Sequence, residues 1–159
     1  KRADKGEVEY AHVRIPAPDA SSYAVHKSMQ GNKRKDTKPE LMVRQRLREA
    51  GLGGYRLQWK VPGHPDVAWP GKKVALFIHG CYWHRCPHCN LSLPKKNTEY
   101  WVAKFNRNQE RDAQNEAALI ADGWKVHVVW ECELKKGKRE ETFAKLLPVL
   151  AHELGKELR

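Results

Sequence analysis

Residues 53 to 80 read GGYRLQWKVPGHPDVAWPGKKVALFIHG, and the punctuation of this stretch decides the fold. β-Branched and aromatic residues alternate or cluster between Pro and Gly steps, the pattern of short strands separated by turns. Three strands are expected, near Tyr55 to Lys60, Asp66 to Trp69 and Val74 to His79. The Pro70-Gly71 step marks a hairpin turn, which makes the last two strands antiparallel neighbours.

Helical patterns flank this sheet. Upstream, TKPELMVRQRLREAG opens on a capping box of Thr37 and Glu40, carries Pro39 in its first turn and stops at Gly51. Val43, Leu47 and Ala50 recur at helical spacing, so the arginines between them are expected to face outward. Downstream, NTEYWVAKFNRNQERDAQNEAALIADG reads as a long helix capped by Asn97 or Thr98 and ended by Gly123. One face carries Trp101, Phe105, Asn108, Asp112 and Leu119. Two polar residues on that stripe depart from binary patterning and call for a structural hydrogen bond or a functional reason. WKVHVVWE is a fourth strand, and ETFAKLLPVLAHELGKEL is a closing amphipathic helix with Pro148 able to kink it. The order of elements describes an α/β domain with a small mixed β-sheet flanked by helices. In such folds active groups gather near strand ends.

The length of 159 residues suits one domain. Thirty Lys and Arg against nineteen Asp and Glu leave a net charge of +11, a field that attracts polyanions, nucleic acid first among them. A membrane surface would also attract it, but needs neither the six tryptophans nor a His/Cys cluster. There is no apolar run for a membrane span or a signal peptide, and a cytosolic location is expected. Residues 1–36, charged and poor in apolar periodicity, read as a flexible basic arm, and residues 37–159 as the folded domain. Lys27, Lys33, Arg34 and Lys35 surround Met29 and suit contact with phosphates, although an idle solvated tail has the same composition.

Four constellations carry chemistry. Cys81, Cys86, Cys89 and Cys132 supply a C-x4-C-x2-C segment and one distant thiolate, a pattern that matches a tetrahedral structural zinc site. His88 or His84 can replace one thiolate, and four unrelated free cysteines are the plain alternative. Four protein ligands leave no open position, so such a zinc holds structure and does not activate water. Asp66 opens one strand and His79 ends its partner, the arrangement by which many nucleases hold magnesium. The acid and lysine usual at the partner strand are replaced by Phe77-Ile78-His79, so a turn role for Asp66 also fits. His84 with Asp112 is a candidate proton-transfer pair, since a carboxylate orients imidazole and raises its basicity. Tyr82 and Trp83, adjacent aromatics in a loop, can wedge between base pairs or pack in a core.

In order along the chain from Met29 to about Lys135, the motifs KDTKPEL, PGHPD, FIHGCYWH, PKKNTEYW, NRNQERD and GWKVHVVWEC resemble the very short patch repair (Vsr) endonucleases, which nick DNA beside a thymine-guanine mismatch. The resemblance implies a restriction-endonuclease-like core with a structural zinc. It makes Asp66 the magnesium-binding carboxylate, with the backbone carbonyl of Ile78 as a further ligand, which accounts for the missing second acid. His79 would contact metal-bound water or the phosphate, His84 would be the general base oriented by Asp112, and Glu40 would hold metal-bound water from the first helix. Tyr82 and Trp83 would intercalate from the major groove and Met29 from the minor groove. The zinc ligands would be Cys81, Cys86, Cys89 and Cys132, with His88 as an alternative to Cys89.

The expected partner is then double-stranded DNA with a T:G mismatch, cut on one strand to leave a 5′-phosphate by a monomer of the bacterial cytoplasm, with other mismatch-repair proteins as further partners. Two competing functions are a zinc-stabilised DNA-binding module without catalysis and a restriction-type nuclease cutting matched sites. One magnesium ion or two is left open by a single carboxylate anchor.

Overall fold

Among the described residues, four strands build one mixed sheet in the order β1 (Arg56–Leu57), β2 (Val67–Trp69), β3 (Val74–His79) and β4 (Lys125–Trp130). The structure, a computed structural model, describes residues 17–19 and 35–159. Met29 and most of the expected arm lie outside the described residues. β1 pairs antiparallel with β2, and β2 with β3 through Val67↔Leu76, Ala68↔Ala75 and Trp69↔Val74. β3 and β4 are parallel, from Val74↔Lys125 to His79↔Trp130. A parallel pair needs a long crossover, here supplied by the 24-residue α3 (Thr98–Ala121).

The sheet is covered on both faces, and strand parity assigns each residue to one of them. Val74, Leu76 and Ile78 of β3 join Val129 of β4 in the larger core, with Val43 and Leu47 of α1 (Lys38–Glu49) and Phe143, Leu150 and Leu154 of α4 (Arg139–Leu154). Each fully buried side chain of this kind stabilises by about 1.5–3 kcal/mol relative to exposure. Ala75 and Phe77 face the other way with Ala68, Leu119 and Trp124, under α3. The parity places His79 beside Phe77 on the α3 face, and their rings lie 5.7 Å apart.

Several local expectations change. β1 is two residues long, because Gln58 takes φ +47° and turns the chain off the ladder. The hairpin between β2 and β3 closes through a single 3-10 turn, Pro70–Lys72, with Lys73 left-handed behind it. Asn97 caps α3 with φ +55° and without a side-chain cap bond. The capping box of α1 is shifted by one residue: Thr37 Oγ1 accepts from the Glu40 N–H at 3.5 Å, while the Glu40 carboxylate accepts from the Asp36 N–H at 2.7 Å. Arg44 does not face outward. It is buried, donating to Asp36 at 2.7 Å and to Glu40 at 3.3 Å, because a partner carboxylate one turn back makes inward placement tolerable. The expected loop carrying Tyr82, Trp83 and His84 is a one-turn helix, α2 (Cys81–His84), ended by Arg85 at φ +51°. Among the described residues, no helix is long and apolar enough to cross a membrane.

Candidate active site and metal centre

The same parity that sends His79 to the α3 face sends Asp66 there, since Asp66 is two residues from inward-facing Ala68. Its carboxylate is held from two sides, by β3 and by the residue after β1: Oδ2 accepts from the Ile78 N–H at 2.7 Å and Oδ1 from Gln58 Nε2 at 3.2 Å. Burial pushes the Asp66 carboxyl above the ordinary carboxylate range, and these two hydrogen bonds only partly offset it. Glu40 is raised too, first by its own burial and then by the charge of Asp66. Two carboxylates that burial makes costly as anions, one of them also raised by the charge of the other, are the electrostatic setting a cation relieves. A carboxylate accepting one bond per oxygen still has free lone pairs, so Asp66 fits a divalent cation.

His84 joins this site through α2 and α3. Its Nδ1 lies 2.6 Å from Asp112 Oδ2, and its ring stacks on His79 with centroids 4.0 Å apart and planes 12° from parallel. One ring nitrogen of each histidine and a carboxylate oxygen of Asp112 lie within 4.8 Å of one another. His79 is pushed down to about 4, by burial first and by the neighbouring His84 second, so it is neutral at neutral pH. With Nδ1–H directed at Asp112, the lone pair of His84 sits on Nε2, the atom that can accept a proton. Gln58, His64, Asp66, His79, His84 and Asp112 all line one cavity of about 210 Å³.

The polar residues on the inward stripe of α3 have their explanation here. Asp112 holds His84, and one turn earlier Asn108 Nδ2 donates to the Trp83 carbonyl at 3.1 Å. Both anchor α2 to the long helix. Tyr82 and Trp83 project from α2 against α3, with Tyr82 edge-on to Phe105 at 5.3 Å and Trp83 at 5.9 Å from Trp101. The Arg85 guanidinium lies 3.6 Å from the Phe105 ring centroid and 4.8 Å from that of Tyr82. Tyr82 nevertheless keeps 37% of its surface exposed.

α2 also begins the cysteine cluster. One sulfur each from Cys81, Cys86, Cys89 and Cys132 lies within 4.8 Å of the others, and Cys86 Sγ is 3.7 Å from Cys132 Sγ. Metal–sulfur bonds of about 2.3 Å in a tetrahedron place sulfurs about 3.8 Å apart, so the group can hold zinc. The His88 N–H points to Cys86 Sγ at 3.4 Å and the Cys132 N–H to Cys81 Sγ at 3.3 Å, bonds that suit anionic sulfur. Burial and hydrogen bonds to Cys86 and its other sulfur neighbours push the Cys132 thiol up to about 12. Burial also raises Cys86, but bonds from His88 and the other three cysteines outweigh it and bring its thiol down. His88 takes part through its backbone, and its exposed ring is not in the four-sulfur group.

The model of the family described as DNA mismatch endonuclease Vsr matches residues 22–91. A type II nicking enzyme of Xanthomonas oryzae pv. oryzae, V.XorIIP, is 45% identical over 108 residues, 67% of this chain and 78% of that protein. The chain belongs to the Vsr family. A second type II nicking enzyme, V.NmeAIP of Neisseria meningitidis, is 44% identical over 102 residues, 64% of this chain and 72% of its own length. The DNA mismatch endonuclease Vsr of Escherichia coli is 37% identical over 111 residues, 69% of this chain and 70% of its own. As a Vsr-family protein the chain is a DNA endonuclease. The family match contains Glu40, Asp66, Ile78, His79, Cys81, Tyr82, Trp83, His84, Cys86 and Cys89; Asp112 and Cys132 lie beyond it and reach the site through the fold.

Glu40 alone of the expected catalytic residues is not on the cavity wall, and it bears on Asp66 through charge. Sequence reasoning missed Gln58, Arg44 and Arg85. None left a signal: Gln58 simply continues the alternation of polar and apolar residues with Arg56 and Lys60 ahead of the PGHPD motif.

Proposed function

We propose that the chain is a magnesium-dependent endonuclease that nicks one strand of duplex DNA beside a T:G mismatch in very short patch repair, leaving a 5′-phosphate. The observation that carries this reading is the placement of the His84–Asp112 pair and the stacked, neutral His79 in one cavity with buried Asp66. The mismatch comes from the family description and from the name of the Escherichia coli relative. Residues 37–159 form the restriction-endonuclease-like nuclease domain and residues 1–36 a basic DNA-binding arm.

The Asp66 carboxylate and the Ile78 carbonyl would hold magnesium, which would supply positive charge against the charge that develops on the phosphate and the leaving oxygen. His84 Nε2 takes a proton from water as the water oxygen bonds to phosphorus and the bond to the 3′-oxygen breaks. Asp112 keeps the ring oriented and stabilises the imidazolium. His79, neutral and stacked on that ring, adds no repelling charge and offers an N–H to the phosphate. Glu40 strengthens the negative field at Asp66 from α1.

Mismatch choice follows from unstacking, because a wobble pair costs less to open than a matched one. Tyr82 and Trp83, buttressed by Phe105, Trp101 and Arg85, form the wedge, with Met29 of the arm entering the opposite groove. Cys81, Cys86, Cys89 and Cys132 would hold a structural zinc, which would tie α2 to the end of β4 and so fix both the wedge and His84. The enzyme acts as a monomer in the bacterial cytoplasm, alongside other mismatch-repair proteins. Cleavage of matched DNA sites is a second reading, and the Xanthomonas and Neisseria relatives are named as nicking enzymes with no mismatch in the name. A panel of duplexes carrying each mismatch or none, in varied flanks and with or without magnesium, separates them. Nicking confined to T:G duplexes supports repair; equal nicking of matched duplexes defeats it.

A further inference from the structure

Gln58 stands where β1 stops, at a backbone conformation that glutamine rarely adopts. Its φ of +47° lies in the left-handed region, which glycine occupies freely and asparagine more readily than glutamine. A strained residue of this kind persists where its surroundings over-determine it, and such residues cluster at functional sites. The pairs Arg56↔Ala68 and Leu57↔Val67 end the β1–β2 ladder one residue short of Gln58 and Asp66, and just beyond it a side-chain hydrogen bond joins these two. What glutamine has and asparagine lacks is one more methylene of reach, and that reach brings Nε2 to 3.2 Å from Asp66 Oδ1 on the cavity wall. The other carboxylate oxygen is held from the opposite neighbour, β3, by the Ile78 N–H at 2.7 Å. Asp66 is thus held from β3 on one side and from the residue just past the end of β1 on the other.

We propose that Gln58 is a positioning residue for the Asp66 carboxylate, retained at a strained backbone position for its side-chain amide, and that it sets the orientation in which Asp66 meets a divalent cation. The inference rests on reading Asp66 as the cation-binding carboxylate. Groups that orient a metal-binding side chain typically change metal affinity by about 10–100-fold when removed.

Two variants of the full chain test it, Gln58→Asn and Gln58→Gly. Both suit the left-handed backbone better, and neither reaches Asp66. Melting temperature should stay at or above that of the parent, while the half-saturating magnesium concentration for nicking rises by ~10-fold or more. The rate at saturating magnesium should fall by only a few-fold, and the melting-temperature rise that magnesium produces in the parent should shrink. An unchanged magnesium response in both variants overturns the proposal. Lowered melting temperature in both, with magnesium response intact, assigns Gln58 a structural role and also overturns it. Asp66→Asn separates the two levels: if it nicks with the parent's magnesium dependence, the reading of Asp66 fails and this inference with it. If Asp66→Asn is inactive while the Gln58 variants behave as the parent, only the inference about Gln58 fails.

Discussion

Asp112→Asn is the sharpest perturbation of the proposed chemistry, because it preserves shape and removes only charge and acceptor character. Asp112 Oδ2 stands 2.6 Å from His84 Nδ1, and both side chains are partly shielded, at 27% and 29% exposure. An asparagine can turn its amide N–H toward Nδ1 and so force the ring proton onto Nε2, the atom that must accept a proton from water. The loss of a hydrogen bond to a charged partner accounts for about 1.5–3 kcal/mol, or roughly one to two decades in rate. The tautomer change adds to this; the equivalent substitution in a serine-protease triad costs about four decades. A fall of about 10²- to 10⁴-fold in the single-turnover rate is expected, measured on an end-labelled T:G duplex at saturating enzyme and magnesium. Stability should barely change, since exposed or half-exposed ion pairs contribute about 1 kcal/mol or less, a shift of a few degrees in melting temperature at most. A nicking rate within about threefold of the parent's at unchanged duplex affinity would refute the assignment of His84 as the base.

Three further outcomes are expected. Cys132→Ser should abolish the binding of one zinc per chain, read by elemental analysis, and lower the melting temperature by more than about 10 °C, since four-ligand sites contribute directly to folding; full metal content in the variant would contradict the four-sulfur site. Lowering pH from 6.5 toward 4 should destabilise the parent more than His79→Gln: the folded value of about 4 lies below the ordinary 6.5, so the unfolded chain binds the proton first and stability is lost as pH falls through that window. The difference is at most about 3 kcal/mol, read by urea unfolding across the pH range, and the raised carboxyls of Asp66 and Glu40, which favour the folded state as pH falls, are common to both proteins. Gly63→Ala should cost about 1–3 kcal/mol in urea unfolding, because Gly63 has φ +82° and an added Cβ would sit 3.0 Å from Phe77 Cε1 and 3.1 Å from Asn115 Cβ; an unaltered midpoint would show that the PGHPD loop yields without strain.

The sequence alone carried what depends on near neighbours. Thr37 and Pro39 start a helix wherever they stand before an apolar stripe, Pro70-Gly71 turns β2 back along β3, and four cysteines at metal-ligand spacing need little else to be recognised. Alternation along β3 even implies that His79 shares a face with Phe77. His84 and Asp112 could be nominated, since a polar residue on an apolar stripe needs a partner, but 28 positions separate them. Their contact depends on where α3 crosses the sheet and on α2 forming a helix where a loop was expected. Arg44 turned inward because Asp36 and Glu40 were there to receive it, which the spacing of the apolar residues alone does not encode. Gln58 gained its meaning only when the end of β1 fell beside Asp66, within reach of its side-chain amide. Periodicity and turn chemistry act over a few residues, so they are written in the chain; the hydrogen bonds that align the site join residues brought together by packing, and tertiary structure alone decided them.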